Sequence, residues 1–133
     1  MLRDTSAIAR RARQKRFSIM VSRVVRTLPV EVQAILDSVA IVVEIEPTTD
    51  HLSDSNLTQD DALYGLYQGV PLIDRGSAYS LVTPDQITIF VGPLERNCET
   101  RRELDEEIRV TVLHEIGHHL GFDEDGLELI GLT

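Results

Sequence analysis

Residues 111–125 read TVLHEIGHHLGFDED and hold three of the chain's four histidines. His114 and His118 stand four apart, and on an α-helix residues at that spacing share a face, one turn above the other. Zinc takes imidazole nitrogens at about 2.0–2.1 Å, so two histidines on adjacent turns can chelate one ion without distorting the backbone. Glu115 follows the first histidine, where its carboxylate can reach a metal-bound water and take its proton. Gly121 can reverse the chain directly after the helix. Glu124 can then return as a third ligand and leave a fourth position for water, which is the layout of an open catalytic site. Asp123 and Asp125 flank Glu124 and are its rivals for that role; spacing does not decide among the three. The expected cofactor is Zn2+, held by His114, His118 and Glu124, with Glu115 as the catalytic base.

H-E-x-x-H arises by chance about 0.01 times in a chain of this composition, and about 0.0006 times with glycine at the required place after it. A chance pairing of histidines on an ordinary helix is therefore the weaker reading. The other conspicuous side chains are less telling. His119 lies about 100° around the helix from His118, which suits packing or support of a ligand better than ligation. His51 falls in a polar stretch and is expected in solvent. Nothing marks Cys98 as an activated thiol. Tyr64 and Tyr67 could offer a phenol to a developing oxyanion, although tyrosines that simply pack are the commoner case.

These residues need a helix to carry them. Thr100 and Glu103 have the T-x-x-E spacing of a capping box, in which each side chain satisfies a backbone donor of the first turn. Glu103, Asp105, Glu106 and Glu107 place negative charge at the positive end of the helix dipole. Leu104, Ile108, Val112 and Ile116 step by four and give a core-facing stripe, so the helix is expected to run to about Leu120. Upstream, Phe17, Met20, Val21, Val24, Val25 and Leu28 predict a helix over 17–28, and Pro29 forces a break. Val32, Ile35, Leu36 and Val39 suggest a short second helix. AIVVEIE, residues 40–46, predicts a buried strand stopped by Pro47. Residues 48–61 are polar and predict a loop or a single helical turn. LYGLYQGVPL suggests a strand crossed by tight turns. QITIFVGP, residues 86–93, alternates Ile87, Ile89 and Val91 against Thr88 and Phe90 and predicts a second strand, the candidate edge along which an extended peptide would lie.

At 133 residues, 42% hydrophobic and 26% charged, the chain suits one soluble domain with a single core. One cysteine cannot form an internal disulfide, which favours a reducing, cytoplasmic setting. No run approaches the length of a membrane span. Charge is unevenly divided: residues 1–26 carry eight Lys or Arg against Asp4 alone, while the whole chain sums to −9. Residues 1–16 read as a basic, flexible arm preceding a domain over 17–133. The arm is the one part suited to nucleic acid or anionic lipid, or to organelle targeting; the acidic body argues against phosphate backbones.

GLYQGVPL, then QITIFVGPLER, then the acidic helix leading into TVLHEIGHHLGFDED resemble the small bacterial family of minimal zincin-like metallopeptidases over about residues 17–133. The resemblance implies an α+β fold: one compact domain whose short mixed β-sheet packs on an active-site helix and N-terminal helices. It implies ligand roles for His114 and His118 and a general-base role for Glu115. The family pattern is H-E-x-x-H-x-x-G-x-x-D, and Glu124 stands here where that pattern has its aspartate. The expected function is zinc-dependent hydrolysis of a peptide or protein substrate. Two alternatives stand beside it: a metal-dependent ribonuclease, whose ligands follow a similar spacing but without a Glu after the first His, and a non-catalytic binding module.

Overall fold

The computed structural model describes residues 2–55, 63–69 and 85–120. Among them are helices α1 (Leu2–Arg26), α2 (Val30–Leu36), α3 (Thr49–Ser55), α4 (Val91–Asn97) and α5 (Arg101–Leu120), and strands β1 (Ala40–Glu44), β2 (Gly65–Gln68) and β3 (Gln86–Phe90). They form a single α+β domain around one three-stranded mixed sheet, in the order β1-β3-β2. β1 runs parallel to β3, with Ala40 opposite Gln86 and Glu44 opposite Phe90. β2 runs antiparallel to β3, with Gly65 opposite Ile89 and Gln68 opposite Gln86.

Both faces of the sheet are covered. α1 packs on β1 and α5, and α5 packs on β2 and β3. Phe17, Val21, Val24 and Leu28 meet Ile108, Val112, Ile116, Ile87 and Ile89 there in one apolar cluster. Phe90 and Leu66 belong to a smaller cluster with Leu63, against which Leu52 of α3 packs. Burial of such side chains is the main stabilising contribution, about 1.5–3 kcal/mol for each large one.

The strand expected to serve as a peptide's edge lies instead at the centre. β1 and β2 take both of its hydrogen-bonding edges, and Ile87, Thr88, Ile89 and Phe90 are all wholly buried. A strand covered on two faces buries its polar position too. Thr88 accepts a hydrogen bond from Gln86 Nε2 at 3.0 Å. β3 also stops at Phe90, and the VGP expected to extend it opens α4. Pro93 sits in the first turn of that helix, where a missing N–H costs no intrahelical bond. Arg96 on α4 donates to Glu46 Oε2 at 2.8 Å. This bond chiefly holds the Glu46 carboxyl below its usual pKa range. Its contribution is therefore present above the ordinary carboxylate pKa and is lost as pH falls through the lowered value.

α1 also differs from expectation. It does not begin near Phe17 but runs unbroken from Leu2. The sequence of 7–16 is rich in Ala, Arg, Lys and Gln, which favour helix even where no apolar stripe recurs. Residues 6–12 are exposed or nearly so, and Ile8 is 66% exposed. Among the described side chains, attachment to the body starts with Arg13, which pairs with Glu95, and Gln14, whose Nε2 donates to the Val43 carbonyl at 3.3 Å. Removing residues 1–12 is therefore expected to shift Tm by less than about 2 °C, because residues 6–12 are exposed. Removing residues 1–24 takes Phe17, Val21 and Val24 out of the core and is expected to abolish the cooperative transition seen by circular dichroism.

Between β1 and β2, α3 forms where a loop or one turn was expected. Thr48 and His51 cap it reciprocally: the His51 N–H donates to Thr48 Oγ1 at 3.2 Å, and the Thr48 N–H donates to His51 Nδ1 at 3.0 Å. His51 is thus a capping residue, half-buried with its ring centroid 4.9 Å from that of Phe90. No helix among the described residues is long and apolar enough to cross a membrane.

Candidate metal centre

α5 carries the site, and its start is fixed by its caps. The Glu103 N–H donates to Thr100 Oγ1 at 3.1 Å, while Glu103 Oε2 accepts from the Glu99 N–H at 3.0 Å, one residue before the donor that the spacing suggests. From that start the helix is in register to turn Leu104, Ile108, Val112 and Ile116 inward. The same register places His114 and His118 on one face.

The two imidazoles converge. His114 Nε2 and His118 Nε2 lie 3.3 Å apart, with ring centroids 4.9 Å apart and planes at 76°. Two nitrogens bound tetrahedrally at the zinc–imidazole distance stand about 3.3–3.4 Å apart. The spacing and the donor type therefore suit a zinc ion. Glu115 completes a cluster in which one ligand atom of each of the three residues lies within 4.8 Å of the others.

Glu115 is 7% exposed and faces two ways. Its Oε1 accepts a hydrogen bond of 2.7 Å from the Tyr67 N–H of β2. Its Oε2 lies 3.7 Å from His114 Nε2. One oxygen is thus anchored to the sheet and the other is turned toward the imidazoles. The alternation of β2 explains why Tyr67 can donate outward. The Phe90 N–H donates to the Tyr64 carbonyl at 2.8 Å, so Tyr64, Leu66 and Gln68 point their backbone groups at β3, and Gly65 and Tyr67 point theirs away. Gly65 also lets β2 lie close to α5, because a Cβ there would stand 2.5 Å from Thr111 Cγ2.

His119 turns the other way, into the core. Its Nδ1 lies 2.9 Å from Asp85 Oδ2, with the two side chains 0% and 1% exposed. The Tyr67 ring meets it edge-on with centroids 5.5 Å apart. The pair ties the last turn of α5 to the residue that precedes β3, so it helps fix where the helix lies along the sheet. Asp85→Ala is expected to destabilise the fold by about 1–3 kcal/mol, the range for removing one partner of a buried polar contact. A fall in Tm of more than about 3 °C would register that loss, with Asp85→Asn closer to wild type.

Gly121, Asp123, Glu124 and Asp125 lie outside the described residues. Sequence reasoning missed two participants. Asp85 carries no motif; the only hint was that His119 falls on the same helical face as Ile108 and Val112, where a buried imidazole needs a polar partner. Tyr67 drew attention for its phenol, whereas its backbone N–H is the group that meets Glu115. Tyr64 lines a cleft beside His114 and Glu115, and Cys98 lies within reach of the Glu107 charge. Burial first and the Glu107 charge second raise the pKa of both.

A compact α+β domain thus carries, on one long helix, paired histidines and a carboxylate that could together hold a metal ion. The family model for zincin-like metallopeptidases matches residues 36–132, most of the chain. The chain belongs to that family. No curated protein matches it.

Proposed function

We propose that the protein is a zinc-dependent peptidase, with zinc held by His114, His118 and Glu124. The observation that carries this reading is the 3.3 Å approach of the two imidazole nitrogens, with the Glu115 carboxylate fixed beside them. Bound zinc would polarise a scissile carbonyl and lower the pKa of a water toward 7. Glu115 Oε2, which faces His114 while Oε1 accepts from Tyr67, is the oxygen we assign to accept the water proton and later deliver it to the leaving amine. With β3 central, β2 lies at the sheet's edge among the described strands, beside the site. Gly65 presents its N–H and C=O outward there, where an extended substrate can pair with them.

The charge distribution favours peptide over RNA as substrate. A groove of about 600 Å³ between α1 and α5 is lined by Arg23, Arg101, Arg102 and Arg109 together with Asp105 and Glu106. Arg102 and Arg109 lie roughly 150° around α5 from His114 and His118. Phosphates bound in that groove would therefore be held away from the cluster.

Metal analysis of the purified protein, paired with digestion of a denatured protein substrate with and without chelator, tests the proposal. About one zinc per chain and chelator-sensitive cleavage are expected. Zinc-loaded protein that cuts structured RNA but no peptide would replace this reading with the ribonuclease one. Zinc-loaded protein that cuts neither would leave a binding module.

A further inference from the structure

A cleft of about 240 Å³ opens beside His114 and Glu115, between α5 and the segment leading into β2. Leu63, Tyr64, Val110 and Thr111 give it largely apolar walls, and among the described residues Glu107 is its only acidic lining residue apart from Glu115. We propose that this cleft is the subsite for a substrate side chain next to the scissile bond, that it takes lysine or arginine, and that Glu107 selects for them. The inference rests on the peptidase reading and names its substrate class.

Glu107 is two turns of helix before His114, about 11 Å along the axis. A residue at the cleavage point can span that length by its own backbone together with the extended stem of a Lys or Arg side chain. The stem would lie along Leu63, Val110 and the Tyr64 ring while the charged head reaches the carboxylate, as long cationic side chains do on apolar surfaces. Among the described residues no Lys, Arg or His forms an ion pair with Glu107, whereas Asp105 and Glu106 are each paired to an arginine of their own helix. The Glu107 charge is felt inside the cleft, since it contributes to the raised pKa of Tyr64 after burial. An uncharged or acidic side chain would leave that carboxylate without a partner, which is how a site discriminates against a poor fit. The net charge of −9 also draws cationic segments toward the molecule.

The test uses one peptide scaffold in which a single position beside the cleavage point is varied among lysine, arginine, norleucine, alanine and glutamate. Norleucine matches the lysine stem and lacks the charge. For zinc-loaded wild type, kcat/KM for lysine should exceed that for norleucine by about tenfold, the size of one charge-assisted contact in a partly open site. In Glu107→Gln that ratio should fall close to one, and in Glu107→Lys glutamate should become the preferred residue. Far-UV circular dichroism and zinc content confirm that the variants are folded and loaded. Equal kcat/KM for lysine and norleucine in wild type, or a ratio unchanged in Glu107→Gln, overturns the proposal. Calorimetric binding of the same peptides to Glu115→Gln, with and without Glu107→Gln, separates the subsite from the chemistry. If wild type cleaves nothing but the lysine peptide binds preferentially through Glu107, the peptidase reading fails and the subsite stands. If no preference appears in binding either, the subsite fails as well.

Discussion

Glu115→Gln is expected to lower peptidase activity by about 10²–10⁴-fold while leaving zinc content and fold unchanged, the range associated with loss of a positioned general base. The geometry makes this substitution informative. In wild type, Oε1 accepts from the Tyr67 N–H and Oε2 faces His114. Glutamine can keep the first bond only by presenting its carbonyl oxygen to Tyr67. Its amide nitrogen must then occupy the position of Oε2, so a donor replaces the acceptor that takes the proton. The anchoring bond survives and the chemistry does not. The loss should appear in kcat rather than in KM, because the contact matters in the transition state. A variant that cleaves as fast as wild type would show that the carboxylate has no part in proton transfer.

His114→Ala is expected to remove the metal and, with it, all chelator-sensitive cleavage. The paired imidazole nitrogens lie 3.3 Å apart on one helix face; they are the proposed ligands, and losing one would leave too few to retain zinc at ordinary concentrations. His118→Ala should behave alike. His119→Ala should act through stability instead, since its ring is buried against Asp85. Among the three acidic residues past Gly121, Glu124→Ala is expected to weaken zinc binding more than Asp123→Ala or Asp125→Ala. Zinc stoichiometry and competitive chelator titration measure each effect. Retention of one equivalent of zinc in His114→Ala would remove the assignment of the centre, and a larger loss in Asp123→Ala or Asp125→Ala would transfer the third-ligand role.

The site helix was legible because several independent signals agreed on it. A capping pair marked its start, acidic residues filled its first turns, and apolar residues stepped by four toward the histidines. β1 was legible from its run of Val and Ile, although it ends at Glu44 rather than Glu46. What failed was the inference from local pattern to position. Thr88 between Ile87 and Ile89 looked like the polar side of a half-exposed strand, yet all three are buried. Alternation marks exposure only when one face meets water, and here both faces are covered. The first half of α1 was missed because its periodicity is absent, and helix propensity alone carried the information. The contacts that complete the site, Tyr67 with Glu115 and Asp85 with His119, are 48 residues apart in the first case and depend on sheet order in both.

The Tyr67 amide proton is bound to the carboxylate proposed as the base, and it belongs to a four-residue strand at the sheet's edge among the described strands. Edge strands open locally at lower free energy than central ones, so hydrogen exchange at Tyr67 should outpace exchange at Thr88 and Ile89. The rate at that one amide then counts how often the strand and the Glu115 carboxylate part company. Because the bond closes a long loop, the pair forms only after non-local contacts have assembled, which slows folding and couples activity to tertiary structure. The isolated α5 sequence can place two histidines on one face, but it cannot orient Glu115. An exchange measurement at a single backbone position thus follows the working geometry without any substrate present.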